Sequence, residues 1–275
     1  MNEYHILSLS GGKDSTALAF YIKDNMPEVH EQIEYVFCDT EVELPENYEY
    51  LDKIEIFLDK PITRLKPYKS FDHLYAMYKF IPSRMHRWCT VELKTKTFRK
   101  YIYDRFIEGD KGNVNMYIGI RADEAHRATD DKGDGNYIKA HFPFVENGLN
   151  EREVHEILEK NGIGLPEYYK WSKRSGCYFC FFQSKMSWIN LYEHHPDLFQ
   201  KAMDYEFEYN SNGKTGYTRW NAEMPLKEMI LPENIKKIKD DFEKLQKRNS
   251  SKKIKANTFF DTTNDDENTC LFCHI

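Results

Sequence analysis

The chain of 275 residues lacks any long apolar stretch, and its apolar runs, such as Tyr35–Cys38, span only a few positions. A helix needs about 20 consecutive apolar residues to cross a bilayer, so the sequence predicts no membrane span. The first residues also lack the basic and apolar regions of a secretory signal. A composition with 40% hydrophobic residues argues against a disordered chain. We therefore expect a globular cytoplasmic protein without a membrane partner.

Neither sign of charge dominates, since 39 basic and 45 acidic side chains give a formal net charge of −6. This mild acidic excess argues against a surface that coats nucleic acid non-specifically, but it leaves room for a local basic site. Two segments are basic: Arg84–Arg105 has seven basic and two acidic residues, and Lys236–Lys255 has nine and three. The first segment either follows a nucleic-acid backbone or serves a nucleotide and an anionic cluster. For the second, a solvated helix face is the favoured interpretation.

Short apolar segments alternate with helical patterns over the first 145 residues. The four candidate strands are Tyr4–Leu9, Ile33–Cys38, Pro61–Leu65 and Met116–Ile120. Helices are predicted to begin at Asp14 and Pro45. This alternation is typical of βαβ units, so we predict an α/β fold with a Rossmann-like, doubly wound and mostly parallel sheet. Because ligands bind beyond the carboxyl ends of such strands, we expect Ser10–Ser15, Asp39 and Arg121 to converge on one crevice.

The later sequence predicts a smaller, mainly helical part that carries a Cys-x-x-Cys motif. Asn150 and Glu153 have the spacing of a helix N-cap and its partner, with Gly162 as a stop. Segment 184–208 is predicted to be mostly helical with a break near Pro196, and a basic amphipathic helix is predicted from Pro232. We expect a core over residues 1–145, a helical part over 146–249 and a loosely held acidic tail over 250–275.

The sharpest motif is Ser10–Thr16, which lies between a predicted strand and a predicted helix. Gly11 and Gly12 allow backbone N–H groups to approach a phosphate, and the hydroxyls of Ser10, Ser15 and Thr16 add donors. The helix N-terminus contributes partial positive charge, and Lys13 contributes a full one. The spacing differs from the G-x-x-x-x-G-K-[ST] loop. We therefore predict a site for the phosphates of a nucleotide, the alternative being a turn that ends in an Asp cap.

The loop resembles the PP-loop of the adenine nucleotide α-hydrolase superfamily, and further segments resemble its phosphoadenylyl-sulfate (PAPS) reductase-like branch. These segments are Phe37–Glu41, Leu44–Tyr48, Arg87–Thr90 with Leu93–Lys94, Gly119–Arg127 and Ser175–Cys180. The matches occur in the family's order, from residue 8 to about 200. The resemblance implies the superfamily's α/β fold and an enzyme that acts on adenylyl groups at the α-phosphate.

Two departures from the reductases bear on the reaction. The reductases have a degenerate loop without the lysine, whereas this loop keeps Lys13, which suits ATP. They also end in a Glu-Cys-Gly-x-His segment, for which Cys270–Ile275 is only an approximate counterpart. Both departures favour the ATP-using members, which include sulfur-transfer proteins of DNA phosphorothioation and tRNA thiolation. Alternatives are a PAPS or adenylyl-sulfate reductase with thioredoxin as partner, and a non-catalytic nucleotide-binding component of a multi-protein system.

The six cysteines are Cys38, Cys89, Cys177, Cys180, Cys270 and Cys273. Two Cys-x-x-Cys pairs in a reducing compartment favour metal or redox chemistry over disulfides. We expect cations near Cys89 to favour its thiolate, and we expect Cys38 to be a buried strand residue. Three thiolates from Cys89, Cys177 and Cys180 are too few for a closed zinc site and suit a [4Fe–4S] cluster, with zinc or no metal as alternatives. Cys273 is our expected fourth ligand, and either tail cysteine is alternatively a mobile sulfur carrier.

Taken with the resemblance, these patterns assign roles to individual residues. Catalysis is assigned to Lys13, Asp14, Ser15 and Arg121; nucleotide binding to Ser10, Gly11, Gly12, Lys13, Ser15, Thr16, Asp39 and Arg127. Asp39 is expected to bind Mg²⁺ or ribose, or else to cap a helix. Arg121 and Arg127 are expected to clamp an α-phosphate or substrate, or else to form surface ion pairs. The resemblance implies Mg·ATP as substrate, with a cysteine desulfurase or other sulfur donor, a nucleic-acid acceptor and a homodimer as further expectations.

Overall fold

The computed structural model describes residues 2–108, 112–128, 137–172, 176–211 and 214–251. The main sheet has five parallel strands in the order β3-β2-β1-β4-β5. Its strands are β1 (Asn2–Ser8), β2 (Glu34–Cys38), β3 (Ile62–Leu65), β4 (Gly112–Tyr117) and β5 (Ile138–His141). The order reverses at β1, between β2 and β4, and a ligand crevice is expected at such a point. The predicted Rossmann-like α/β fold is confirmed.

Helices surround the sheet and form most of the later chain. The α-helices are α1 (Lys13–Asn25), α2 (Pro27–Gln32), α3 (Pro45–Leu58), α4 (Phe71–Tyr78), α5 (Lys96–Ile102), α6 (Pro143–Glu146), α7 (Glu151–Lys160), α8 (Lys185–His194), α9 (Pro196–Asp204), α10 (Leu226–Met229) and α11 (Pro232–Ser251). Two π-helical turns, Thr90–Thr95 and Tyr103–Ile107, flank α5. Two 3₁₀ turns are Ala122–Arg127 and Glu167–Lys170.

Alternate residues of each strand face opposite layers of the molecule. Leu7, Tyr35 and Phe37 belong to a buried cluster with α1, α3 and α7. Their neighbours Ile6 and Val36 belong to a second buried cluster with α5. The sheet is therefore covered on both faces, which explains the near-continuous apolar sequence of its central strands.

A third core lies apart from the sheet and is rich in aromatic rings. It contains Phe71 and Trp88 from the first half of the chain, and Phe179 and Trp220 from the second. The ring centroids of Phe71 and Phe179 are 4.4 Å apart, and those of Phe179 and Trp220 are 5.1 Å apart. This core contains residues from both sides of position 145. The domain boundary expected at that position stays a prediction.

Several local predictions agree with the structure and others need correction. Asn150 and Glu153 form a capping box at the start of α7, and α11 begins at Pro232. The fourth strand lies earlier than the expected segment 116–120, because the chain leaves the sheet after Tyr117. Strand β5 was not predicted. After the expected break near Pro196, segment 184–208 ends in a hairpin strand instead of a helix, where β6 (Phe207–Ser211) pairs with β7 (Lys214–Thr218).

No helix within the described ranges is both long and apolar enough to cross a membrane.

Candidate functional site

The Ser10–Thr16 loop joins β1 to α1 and is held together by its own hydroxyls. The Ser15 Oγ accepts from the Ser10 backbone N–H at 3.2 Å and lies 3.0 Å from the Ser10 Oγ. The Ser10 Oγ accepts from the N–H of Gly12 at 3.3 Å, and the Thr16 hydroxyl donates to the Gly12 carbonyl at 2.8 Å. These short-range bonds hold the loop at the first turn of α1, where backbone N–H groups lack helical partners.

Two glycines of this region permit close approaches that a side chain would block. Gly11 has a φ of +75°, and a Cβ there would lie 2.3 Å from the Asn47 Oδ1. A Cβ on Gly119, just after β4, would lie 2.9 Å from the Asp14 carbonyl oxygen. The ends of β1 and β4 therefore meet at the first turn of α1, as expected at the point where the strand order reverses.

Lys13 lies beside the loop in a charged network. Its Nζ donates to both Asp14 carboxylate oxygens at 2.9 Å and is 3.8 Å from the Glu151 Oε1 at the start of α7. Its backbone N–H donates to the Tyr169 hydroxyl at 3.3 Å. The side chain is only 12% exposed, so the ammonium group stays at the loop. The ammonium of Lys13 is thus paired with carboxylates beside the loop, and its role toward a nucleotide stays a prediction.

Arg121 is buried behind the loop and is surrounded by carboxylates. Its guanidinium donates to Asp14 at 3.1 Å and to Asp123 at 3.1 and 3.2 Å, and it lies 3.3 Å from Glu124. The Arg121 side chain is 8% exposed, whereas Asp14 and Asp123 are partly exposed, and a role of Arg121 toward an α-phosphate stays a prediction. Arg121 and Lys13 both donate to the Asp14 Oδ1.

A cavity of about 160 Å³ opens against the loop. It is lined by Ser8, Ser10, Gly12, Asp14, Ser15, Tyr117, Ile118, Gly119, Ile120, Glu124 and Arg127. Arg127 donates to the Glu124 carboxylate at 2.9 Å on the cavity wall. The cavity brings together serine hydroxyls, loop N–H groups and a guanidinium, which are suitable donors for an anion.

Asp39 is buried after β2 but does not line this cavity. Its Oδ1 accepts from the Glu41 N–H at 3.0 Å and from the Tyr48 hydroxyl at 2.7 Å. Helix α3 begins after Leu44, so Asp39 caps no helix there. The bond to Glu41 instead stabilises a turn in which Glu41 has a φ of +62°. The role of Asp39 toward Mg²⁺ or ribose stays a prediction.

Cys38 and Cys89 lie in buried surroundings. Cys38 is a core residue of β2, as expected, and burial raises the pKa of its thiol to about 12. Burial and the nearby Cys180 raise the pKa of Cys89 to about 11. The expected cationic activation of Cys89 is therefore wrong, because desolvation outweighs the effect of Lys94. Arg84 and Arg87 place their guanidinium carbons 5.4 Å from the Phe182 ring centroid instead.

Cys177 is joined to a buried carboxylate to which no sequence motif assigned a role. Its Sγ donates to the Glu43 Oε1 at 3.1 Å, and the same oxygen accepts from the Thr40 hydroxyl at 2.9 Å. Burial and the charge of Glu43 raise the pKa of the Cys177 thiol well above its usual range. Burial lowers the pKa of Lys94, but the electrostatic effect of its neighbours Cys177 and Glu43 is larger, so the net shift is upward.

The thiols of Cys89 and Cys177 both lie near Cys180, which contributes to the raised pKa of each. Within the described ranges, no group of three or more Cys, His, Asp or Glu side chains is arranged to hold a metal ion. Three neighbouring thiols are the right donor type for an iron–sulfur cluster, and a cluster at these residues stays a prediction. Cys270 and Cys273 lie outside the described residues, so their expected roles stay predictions.

A short segment between β2 and α3 connects residues 176–180, here called the cysteine loop, to Ser10–Thr16, here called the phosphate loop. Glu43 forms an isolated antiparallel bridge with Cys177, and the Leu44 N–H donates to the Gly176 carbonyl at 2.5 Å. The fully buried Asn47 follows, and its Nδ2 lies 3.5 Å from the Ser10 carbonyl. A Cβ on Gly176 would lie 2.5 Å from the Asn47 Cγ. Asn47 is therefore a spacer packed between both loops.

Sequence reasoning assigned no role to Glu43, Asn47, Tyr168 and Tyr169. The two tyrosines come from the 3₁₀ turn at 167–170 and place their hydroxyls 3.5 Å from the Gly11 carbonyl and 3.3 Å from the Lys13 nitrogen. These contacts join residues more than 150 positions apart, so no local spacing reveals them. Asn47 lies inside the family-like segment Leu44–Tyr48 and Glu43 precedes it. That resemblance was the signal in the sequence that could have pointed to these two residues.

A family model described as the phosphoadenosine phosphosulfate reductase domain matches residues 4–180. The uncharacterized protein MJ0973 of Methanocaldococcus jannaschii is 26% identical over 258 residues, covering 88% of this chain and 56% of that protein. The uncharacterized nin region protein ORF290 of Escherichia phage lambda is 30% identical over 148 residues, covering 45% of this chain and 50% of that protein. The chain thus spans about half the length of the curated relatives it matches.

Two solved structures are similar to the chain. A phosphoadenylyl-sulfate reductase from Candida auris, in a phosphate complex, is 13% identical with a TM-score of 0.45, covering 66% of this chain and 83% of that one. The U34-tRNA thiolase NcsA from Methanococcus maripaludis, with its [4Fe-4S] cluster, is 16% identical with a TM-score of 0.38, covering 72% and 69%.

Proposed function

The chain belongs to the phosphoadenosine phosphosulfate reductase domain family, and from that premise we propose that it is an enzyme that binds Mg·ATP and cleaves it at the α-phosphate. Pyrophosphate leaves, and the adenylated acceptor is activated for sulfur transfer. One observation carries this proposal. The Ser10–Thr16 loop is closed by hydrogen bonds between its own residues, and Lys13 lies at the first turn of α1. The cation of Lys13 suits a nucleotide that has β- and γ-phosphates, as ATP does.

In the proposed reaction an acceptor oxygen attacks the α-phosphorus, and the bond from that phosphorus to the pyrophosphate oxygen breaks. The ammonium of Lys13 and the loop N–H groups stabilise the charge that develops on pyrophosphate. Asp14 positions Lys13, since its Oδ1 accepts from both Lys13 and Arg121. Arg127, on the cavity wall, is a donor for an α-phosphate oxygen. A sulfur nucleophile then displaces AMP from the acceptor.

The cysteine loop supplies the second half of the proposal. Cys89, Cys177 and Cys180, with Cys273, would hold an iron–sulfur cluster, whose chemistry is the binding and delivery of sulfur. The thiol of Cys177 contacts Glu43, and Asn47 packs on both loops, so the nucleotide and the cysteines are joined by the same short segment. This connection supports a reaction that uses both places.

The test uses the full chain purified without oxygen. Mg·ATP and PAPS are supplied separately, and AMP, pyrophosphate and sulfite are quantified, with binding of each nucleotide measured by equilibrium dialysis. With water as the attacking oxygen in place of the acceptor, we expect ATP to bind with Mg²⁺ and to yield AMP and pyrophosphate in equal amounts. Sulfite from PAPS without AMP from ATP would identify a reductase instead. Tight ATP binding without either product would identify a non-catalytic component. Both results overturn the proposal.

A further inference from the structure

A groove of about 790 Å³ lies beside the cysteine loop. It shares no lining residue with the cavity of about 160 Å³ at the phosphate loop. Its walls come from segments 82–85, 181–187, 219–224 and 234–245. Both basic segments of the sequence contribute to it, through Arg84 and Lys237. The fold therefore brings two distant basic segments to one surface, which the charge pattern alone did not indicate.

The groove has a mainly apolar lining that carries more basic than acidic side chains. Its basic residues are Arg84, Lys185, Arg219 and Lys237, whereas Asp241 is its acidic residue. Glu223 pairs with Lys185 at the rim, and both Arg84 and Lys237 are exposed to solvent. In a chain whose formal net charge is −6, this surface is complementary to a polyanion.

Aromatic rings lie among these charges. The Phe181 and Phe182 centroids are 4.4 Å apart, and Arg84 and Arg87 both place guanidinium groups 5.4 Å from the Phe182 centroid. Trp220 lines the same groove. Rings combined with arginines bind bases by stacking while neighbouring cations contact phosphates.

The groove is bonded directly to the cysteine loop. Phe181 follows Cys180 in the chain, and the Gln183 N–H donates to the Cys180 carbonyl at 2.9 Å. The Gln183 side chain, which lines the groove, donates to the carbonyls of Tyr178 at 3.1 Å and Cys177 at 3.4 Å. A ligand in the groove therefore lies next to the backbone that carries both cysteines.

We propose that this groove binds single-stranded nucleic acid, with a base against Phe182 and the backbone along Arg84 and Lys237. A duplex keeps its base faces stacked inside, so the rings engage only an unpaired strand. The identification of this strand as the acceptor rests on the proposed function. The binding itself does not, because it requires neither ATP nor a cluster.

The test measures fluorescence anisotropy of labelled 12-nucleotide strands with the full chain, without ATP, over a range of salt concentrations. Separate arms use single-stranded DNA, single-stranded RNA and a duplex of the same sequence. We expect one or both single strands to bind more tightly than the duplex, and the affinity to fall as salt rises. Phe182→Ala should weaken binding by about tenfold, while Phe182→Trp retains it.

A charge-reversed pair provides the matched comparison. Arg84→Glu with Lys237→Glu should weaken binding and reduce the salt slope by about 0.7 for each phosphate that is no longer neutralised. Lys100→Glu with Lys160→Glu changes the net charge equally outside the groove and should leave the affinity within about twofold, since only delocalised charge is altered. Thermal unfolding checks that each variant is folded.

The proposal is overturned by absence of binding to both single strands, by equal binding of the duplex, or by equal losses of affinity in the two charge-reversed pairs. Unchanged affinity in folded Phe182→Ala overturns it as well. Because ATP is omitted, these outcomes are independent of the pyrophosphate assay, and failure of either proposal is recognised separately.

Discussion

The phosphate loop and the cysteine loop are both built around short motifs, yet only the first is complete in the described structure. Seven consecutive residues form the phosphate loop, and its serines bond to its own backbone. The cysteines come from segments almost 90 positions apart, and those in the described chain form no ligand set. A motif whose contacts are local assembles with the fold, whereas one whose members are distant depends on further partners.

Burial explains the difference in physical terms. Lys13 and Asp14 are paired charges that satisfy one another beside the loop. Cys89 and Cys177 instead have raised pKa values because burial disfavours the thiolate form that binds metals. Binding of the proposed cluster would therefore release protons from these thiols.

The largest expected effect concerns the phosphate loop. Lys13→Ala removes the full positive charge at the site where the leaving group develops charge, and we expect pyrophosphate release to fall by at least about a hundredfold. Lys23→Ala, on the same helix but bonded to the Phe57 carbonyl, should retain the parental rate. The kcat for pyrophosphate release is measured for both variants and for the parental chain. Undiminished turnover in Lys13→Ala would contradict the proposed role of the loop.

The cysteine loop should respond in iron content. Cys177→Ala should lose most of the iron bound after anaerobic reconstitution, because it removes a proposed ligand. Cys38→Ala should keep its iron, since Cys38 is a buried residue of the sheet core, at a cost of about 1 kcal/mol in stability. Iron analysis and absorption spectra compare the two variants. Equal iron in both would remove Cys177 from the ligand set.

A smaller effect is expected where the two loops touch. Gly11→Ala combines a φ of +75° with a Cβ 2.3 Å from the Asn47 Oδ1, whereas Gly148→Ala has a φ of +68° and open space. We expect the control to lose about 1–2 kcal/mol from backbone strain. Gly11→Ala should lose a further 1–3 kcal/mol or so from overpacking. Urea unfolding measures both, and equal losses would show that Asn47 moves aside freely.

The comparison also separates what sequence can predict from what it cannot. The phosphate loop, the Asn150–Glu153 capping box and the start of α11 depend on neighbours within a few positions, and each was predicted. The parallel sheet followed from alternating patterns. Strand β5 was missed because only four of its residues, Ile138–His141, pair in the sheet.

Prediction is weakest where burial or tertiary contacts decide. The sequence did not indicate that the carboxylates of Asp14, Asp123 and Glu124 surround the guanidinium of Arg121. The neighbouring cations were expected to favour the Cys89 thiolate, and that prediction was wrong because burial raises the pKa of this thiol. The neighbours of a charged side chain come from the whole fold, so its protonation behaviour does not follow from the motif that contains it.

The finest test asks whether Asn47 couples the two loops. It is fully buried, and the three atoms nearest to a Cβ on Gly11 all belong to it. Asn47→Ala alone should cost about 1–3 kcal/mol, because it removes a buried amide packed between the loops. In that background the loss caused by Gly11→Ala should shrink to the loss measured for Gly148→Ala, since only backbone strain remains.

A double-mutant cycle by urea unfolding gives this coupling energy, and Asn161→Ala at the C-cap of α7 serves as the control background. Additive losses in the Asn47→Ala cycle would mean that the loops are neighbours without being coupled through this side chain.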